Sequence, residues 1–314
     1  MASGSALDDL RTFARGWRWG KRTLVPRSAE PFVPPAEPRE FATAWARTPA
    51  ARATRELLQT YVLKPLVWNE TSPRIEGLDN LETVSPPVMF VSNHSSHLDA
   101  PLVLCSLPKP WREKTAVGAA ADYFFDVWWR SMSTALVFNA FPIERTGSRR
   151  STGTARQLVQ EGWSLLVFPE GTRSRDGWMQ RFRHGAARLA VELEVPVVPV
   201  AIRGAYAAMP RGRAWPRRGR FPVSVRYGAP LRPEPGEDFR SVSSRISTAV
   251  ARLWDEDRTT WWESIRREAR GETPRPSGPE GASWRRVWEA TRPLPARTRE
   301  RAWRRGAGSA SQAT

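Results

Sequence analysis

Between residues 87 and 227 the chain alternates short apolar runs with stretches of helical character. No other feature restricts the fold as much. The runs lie at 87–92 ("PVMFVS"), 115–118, 135–141, 164–168 ("SLLVF"), 197–202 ("VVPVAI") and 222–227 ("PVSVRY"), with helical stretches between them, notably 152–162 and 182–194. Strands alternating with helices of about 10–15 residues predict an α/β domain, a mixed, largely parallel central sheet flanked by helices. Residues 238–254 close it with one more helix, whose stripe is Ile246, Val250, Leu253 and Trp254. There is no internal repeat.

An N-terminal helical segment precedes the sheet. From Ala51 to Trp68 the residues Leu57, Leu58, Tyr61, Val62 and Leu66 recur at helical spacing, with Lys64–Pro65 near the end. The default partner of such a stripe is the core, and the alternative is an interface. Outside this region the composition changes. Residues 1–50 form a Pro/Arg-rich extension, and its stretch 28–40, with four prolines, reads as an extended linker. Residues 51–255 make the domain, and 256–314 form a Trp/Arg-rich extension. "GETPRPSGPEGAS" reads as an unstructured linker, so the chain is expected to be largely disordered after 270, ending in a basic tail.

Charge bounds the partners. A net charge of +17, carried mostly by arginine, points to polyanions: nucleic acid, anionic lipid headgroups or phosphorylated substrates. A GC-rich genome would produce the same arginine bias. The 16 tryptophans suit a water–lipid boundary, because indole joins a large apolar face to one N–H. Trp284 and Trp288, four apart among many arginines, read either as an anionic-membrane tether or as a solvated tail. No run approaches the ~18 apolar residues of a membrane span, and the N-terminus lacks the apolar core of a secretory signal. The expectation is a cytoplasmic protein held peripherally on the inner face of the cell membrane. Cys105 is the single cysteine, so no intrachain disulfide and no cysteine-based zinc site can form.

The chemistry concentrates in "NHSSHLD", residues 93–99, between a strand and a helix-like segment. Such a loop lies at the sheet end where α/β proteins bind ligands. His94 and Asp99 can form an acid–base pair in which the carboxylate fixes the imidazole tautomer. A metal site would recruit His97, Asp99 and the distant His184, none at a recognised zinc spacing, and no metal is expected. A polar turn is the third reading. "FPEGTRSRDG" (168–177) follows another strand and offers Gly171, Thr172, Ser174, Arg173 and Arg175 to an anion. "FPIERTG" (141–147) repeats the pattern with Arg145. In "VPVVPVAIRGAY" (195–206), Pro196 and Pro199 suggest an edge strand or a wall shaped around a ligand. "RGRAWPRRGR" (211–220) carries five arginines and no acid, which favours a polyanion contact over a solvated loop.

The blocks at 93–99, 141–145, 168–174 and 195–200 occur in an order that resembles the four-block signature of the glycerolipid acyltransferase family. Its best-known members are 1-acylglycerol-3-phosphate acyltransferases. The resemblance covers roughly residues 60–235, including "IEGLDNL" (75–81) and "VRYGAPL" (225–231). It implies that His94 acts as general base on a glycerol hydroxyl, oriented by Asp99. The hydroxyl oxygen then attacks an acyl thioester. Acyl-CoA or acyl carrier protein would serve as co-substrate, with no cofactor. Arg145, Glu170, Gly171, Thr172 and Arg173 would receive the acceptor's phosphate, and the fourth block would line the acyl pocket or support the sheet. Glu144 stands where the family commonly has aspartate, and His97 is a second base without an evident task. The implied acceptor is lysophosphatidic acid, giving phosphatidic acid, with other lysophospholipids or glycerol 3-phosphate as alternatives. A nucleic-acid-binding protein or a lipid-bound scaffold is the reading from a different class. No nucleic-acid motif appears in the domain, and both His94 and Asp99 are present.

Overall fold

The computed structural model describes residues 42–124, 127–143 and 149–294. Seven strands form one sheet in the order β1-β7-β6-β2-β5-β3-β4. They are β1 Thr71–Glu76, β2 Met89–Ser92, β3 Thr115–Ala120, β4 Phe141–Ile143, β5 Ser164–Val167, β6 Val197–Arg203 and β7 Phe221–Tyr227. Central β2 pairs in parallel with β5 (Met89↔Leu165) and with β6 (Met89↔Val197). The antiparallel β6–β7 pair makes the sheet mixed. The helices used below are α1 Pro49–Leu57, α2 Lys64–Glu70, α3 Asp99–Ser106, α4 Trp128–Phe138, α5 Arg149–Gln160, α6 Gly185–Glu192, α7 Phe239–Glu256, α8 Trp261–Ala269 and α9 Ser283–Ala290.

Both faces of the sheet are covered, which is why its strands read as continuous apolar runs rather than alternating ones. Met89, Val91, Leu165 and Val197 point into one core with Leu158, Ala190, Ile246 and Val250. Phe90, Leu166, Val198 and Val200 point into the other with Leu102, Val103 and Val67. Cys105 is buried, and burial pushes its thiol up to about 12, so it is a packing residue.

The run 135–141 is mostly helix. It is the last turn of α4, which ends on Asn139 at φ 49°, so that only Phe141–Ile143 is strand. An apolar run that short has no period to separate helix from strand. Pro199 lies inside the sheet, between β2 and β7, and not at an edge. The β6–β7 ladder starts only at Val200↔Tyr227, and Val197 is bridged separately to Leu231. Pro199 falls in the gap between, where a missing N–H breaks no ladder bond, and its carbonyl accepts from Gly228 N–H at 2.8 Å. The fourth block therefore supports the sheet: Val197, Val198 and Val200 are fully buried.

The N-terminal helix inverts its expected orientation. α1 passes through a π-helical turn, Leu58–Leu63, into α2, and this wider turn precedes Pro65. Its buried residues are Ala51, Arg55, Gln59 and Val67. Leu57, Tyr61 and Val62 are 59, 73 and 57% exposed. The polar pair turns inward because α4 ends beneath it with carbonyls that have no helical partner. Arg55 Nε donates to Leu136 O at 2.8 Å and Gln59 Nε2 to Val137 O at 2.7 Å, and Arg55 also donates to Ala46 O. Burial, with Arg47 and Arg52 nearby, lowers the Arg55 guanidinium to about 10.

Two expectations for the ends change or fall outside the described residues. Residues 271–282 are not a free linker, because Gly278 sits directly on the Trp178 indole and Pro276 O accepts from Met179 N–H. The prolines of 28–40, Glu144, Arg145 and Trp303 lie outside the described residues. Among the described residues no helix is long and apolar enough to cross a membrane.

Candidate active site

β2 delivers the first block to the carboxyl end of the parallel strands, and the loop after it is fixed on every side. Asn93 is buried and imitates a strand partner, its Nδ2 donating to Ile202 O at 2.9 Å while its Oδ1 accepts from Ile202 N–H at 2.8 Å. Ser96 Oγ donates to Met209 O at 2.8 Å. Asp99 opens α3 and is fully buried. One of its oxygens, Oδ2, lies 2.9 Å from His94 Nδ1 and accepts from the backbone N–H groups of Ser95 and Ser96 at 2.6 and 2.8 Å. Those donors hold the carboxylate in place, and the carboxylate assigns the Nδ1 proton to its own side. The His94 ring lies against Phe168, with centroids 4.3 Å apart and planes 23° apart. A half-buried imidazole whose Nδ1 is committed presents Nε2 as its base.

β5 brings the third block alongside. Glu170 is 3% exposed, and its Oε1 accepts from His94 N–H at 2.7 Å while Oε2 accepts from Gln180 N–H at 3.0 Å. Both oxygens of this residue, expected to meet the acceptor phosphate, accept from backbone N–H groups. The bond to His94 N–H ties the third block to the first. Burial pushes Glu170 up to about 8, against those two N–H groups, with the charges of Asp99 and Asp176 adding to the rise. Gly171 adopts φ +72°, and a Cβ there would come 3.0 Å from the Arg183 guanidinium. Ser174 N–H closes the turn onto His94 O at 2.8 Å. Thr172 and Arg173 are half-buried on the same turn, and Arg173 O accepts from Arg211 at 3.3 Å, which brings the arginine-rich 211–220 loop to the rim.

His97 is half-buried and packs edge-on to Phe124 at 6.0 Å. Burial first, then the charges of Arg173 and His94, hold it down to about 4, so it stays neutral. His184 stands apart, at the start of α6 against Phe239. Among the described residues no three His, Cys, Asp or Glu gather where they could share a metal ion. A cavity of about 800 Å³ opens at the other end of the strands, between Thr83–Val84, Leu193–Pro196 and Arg232, and holds no part of this site. The contacts of Asn93 with Ile202 and of Glu170 with His94 escaped the sequence, since the partners lie 109 and 76 residues away.

The mostly parallel sheet thus carries a His–Asp pair after β2 and a Glu-Gly-Thr-Arg turn after the neighbouring β5. Residues 72–203 match the model of the acyltransferase family. A chloroplastic 1-acyl-sn-glycerol-3-phosphate acyltransferase of Brassica napus is 35% identical over 141 residues, covering 44% of this chain and 39% of that protein. A 1-acyl-sn-glycerol-3-phosphate acyltransferase of Chlamydomonas reinhardtii is 30% identical over 204 residues, covering 63% of this chain and 58% of its own. The crystal structure of the 1-acyl-sn-glycerophosphate (LPA) acyltransferase PlsC from Thermotoga maritima superposes with a TM-score of 0.52 at 26% identity, covering 66% of this chain and 84% of that one. The chain thus spans about two fifths of the length of the Brassica relative.

Proposed function

We propose that this protein transfers a fatty acyl group from a thioester, acyl-CoA or acyl carrier protein, to the free hydroxyl of lysophosphatidic acid, forming phosphatidic acid. The observation that carries this reading is the 2.9 Å His94 Nδ1–Asp99 Oδ2 pair, set beside the Arg173 turn. His94 Nε2 takes the hydroxyl proton, Asp99 balances the imidazolium, and the oxygen attacks the thioester carbonyl. The thiolate leaves and recovers the proton from His94. Gly171, Thr172 and Arg173 receive the acceptor phosphate, with Arg145 from the second block, and Glu170 braces His94 from behind.

The acceptor and product are lipids, and the outward apolar face of Leu57, Tyr61, Val62 and Leu66 supports a peripheral seat on an anionic membrane. The arginines of 211–220 at the site's rim fit the same surface or the phosphates of the donor. The test is product identification. Purified protein is incubated with labelled lysophosphatidic acid, glycerol 3-phosphate or lysophosphatidylcholine and each thioester donor. Labelled phosphatidic acid as the main product supports the proposal. Acylation confined to another acceptor overturns it.

A further inference from the structure

The third block is held from outside the matched family domain. Residues 272–294, reached after α8, return to the turn that follows Arg173 and bind it at several points. Met179 N–H donates to Pro276 O at 3.0 Å, and Trp178 Nε1 donates to Arg286 O at 2.9 Å. Gly278, at φ +82°, lies so close to Trp178 that a Cβ would fall 2.3 Å from the indole, and Gly177 faces the Ala290 methyl in the same way.

Arg286 on α9 organises these contacts. Its Nε meets Asp176 Oδ2 at 2.7 Å, while its terminal nitrogens donate to Pro279 O at 2.6 Å and Ser277 O at 2.8 Å. Asp176 in turn uses Oδ1 to accept from Ser174 Oγ at 3.1 Å and from Trp178 N–H at 3.2 Å. Ser174 is the residue whose N–H holds His94 O. An unbroken chain of polar contacts therefore runs from α9 through Asp176 and Ser174 to the backbone of the base. A solvated tail would need none of them.

From this geometry we infer that residues 272–294 are a strap that sets the Arg173–Asp176 turn against His94, with Arg286 as its positioning residue. The inference rests on the acyl-transfer reading, in which this turn receives the acceptor. It assigns the C-terminal extension a part in acceptor use. A fork that bonds one carboxylate and two carbonyls at once is a task for arginine; lysine can keep the Asp176 contact but not the others.

The experiment compares the full-length protein with Arg286→Ala, Arg286→Lys and Trp284→Ala, the last on the exposed side of α9. Steady-state kinetics with lysophosphatidic acid and acyl-CoA is paired with amide hydrogen exchange over residues 170–180. Arg286→Ala is expected to raise KM for the acceptor on the order of ten-fold or more, to leave KM for the donor unchanged, and to speed exchange at 174–180. Arg286→Lys should recover part of both effects, and Trp284→Ala should change neither. Should Arg286→Ala not fold, Arg286→Lys alone must show the acceptor effect at reduced size. Unchanged exchange at 174–180, or equal changes in both KM values, overturns the strap. Absence of transfer by the wild type would count against the acyl-transfer reading, and the exchange data would still decide whether Arg286 orders the turn.

Discussion

Glu170 and His94 are joined through the backbone: the buried carboxylate accepts the His94 N–H at 2.7 Å, while Asp99 holds the ring at 2.9 Å. One acid aims the imidazole and another anchors the residue that bears it. Both acids follow a strand end closely, Glu170 just after β5 ends at Val167 and Asp99 as the first residue of α3, in the loop region after β2 ends at Ser92.

Glu170→Ala should therefore impair chemistry without touching a substrate. It removes the acceptor of two backbone N–H groups, and His94 loses one of its fixed points. A displacement of about 1 Å at a general base costs on the order of 10²-fold in rate. The expected result is a kcat loss of that order with KM for lysophosphatidic acid nearly unchanged. A large rise in KM with kcat preserved would show that Glu170 meets the acceptor after all.

The outward face of α1 and the adjoining π-helical turn should be separable from folding. Leu57→Gln combined with Tyr61→Ser and Val62→Thr alters side chains already in water, so the melting temperature should stay within a degree or two of wild type. Flotation with anionic vesicles should fall sharply. Arg55→Met is the converse case. It strands the carbonyls of Leu136 and Ala46 and should cost about 1–3 kcal/mol of stability by chemical denaturation. Retained flotation in the triple variant would place the membrane contact elsewhere.

His97 sets a pH dependence. Its proton affinity falls from the ordinary 6.5 to about 4 in the folded state, chiefly because it is buried. As pH drops through this window the unfolded chain gains a proton that the folded chain refuses, so stability is lost between about 6.5 and 4. His97→Gln has no such proton to gain. Wild type should therefore lose melting temperature relative to the variant over that range, and parallel curves would contradict the burial argument.

Much of this was legible in the residues themselves, for identifiable reasons. β2, β5, β6 and β7 are short runs bounded by turns and buried on both faces, so composition alone marks them. The pair His94 and Asp99 is local in sequence and was visible as spacing. What stayed hidden depends on distant partners. The stripe Leu57–Tyr61–Val62 announces an amphipathic helix but cannot reveal that α4 ends beneath its polar side and draws Arg55 and Gln59 inward. Glu170 looks like an acid among arginines until the His94 N–H is placed against it. The glycine–proline composition of 271–282 suggested a loose linker, whereas Gly278 is there because only hydrogen fits against Trp178.

The central claim is that His94 is the base of an acceptor-dependent acyl transfer. Thiol release from a long-chain acyl-CoA, measured with and without lysophosphatidic acid for wild type and His94→Ala, tests it most directly. The account predicts release that requires the acceptor and falls by about 10²–10⁴-fold in the variant, the range expected for loss of a general base. Acceptor-dependent release that survives His94→Ala at the wild-type rate would contradict it.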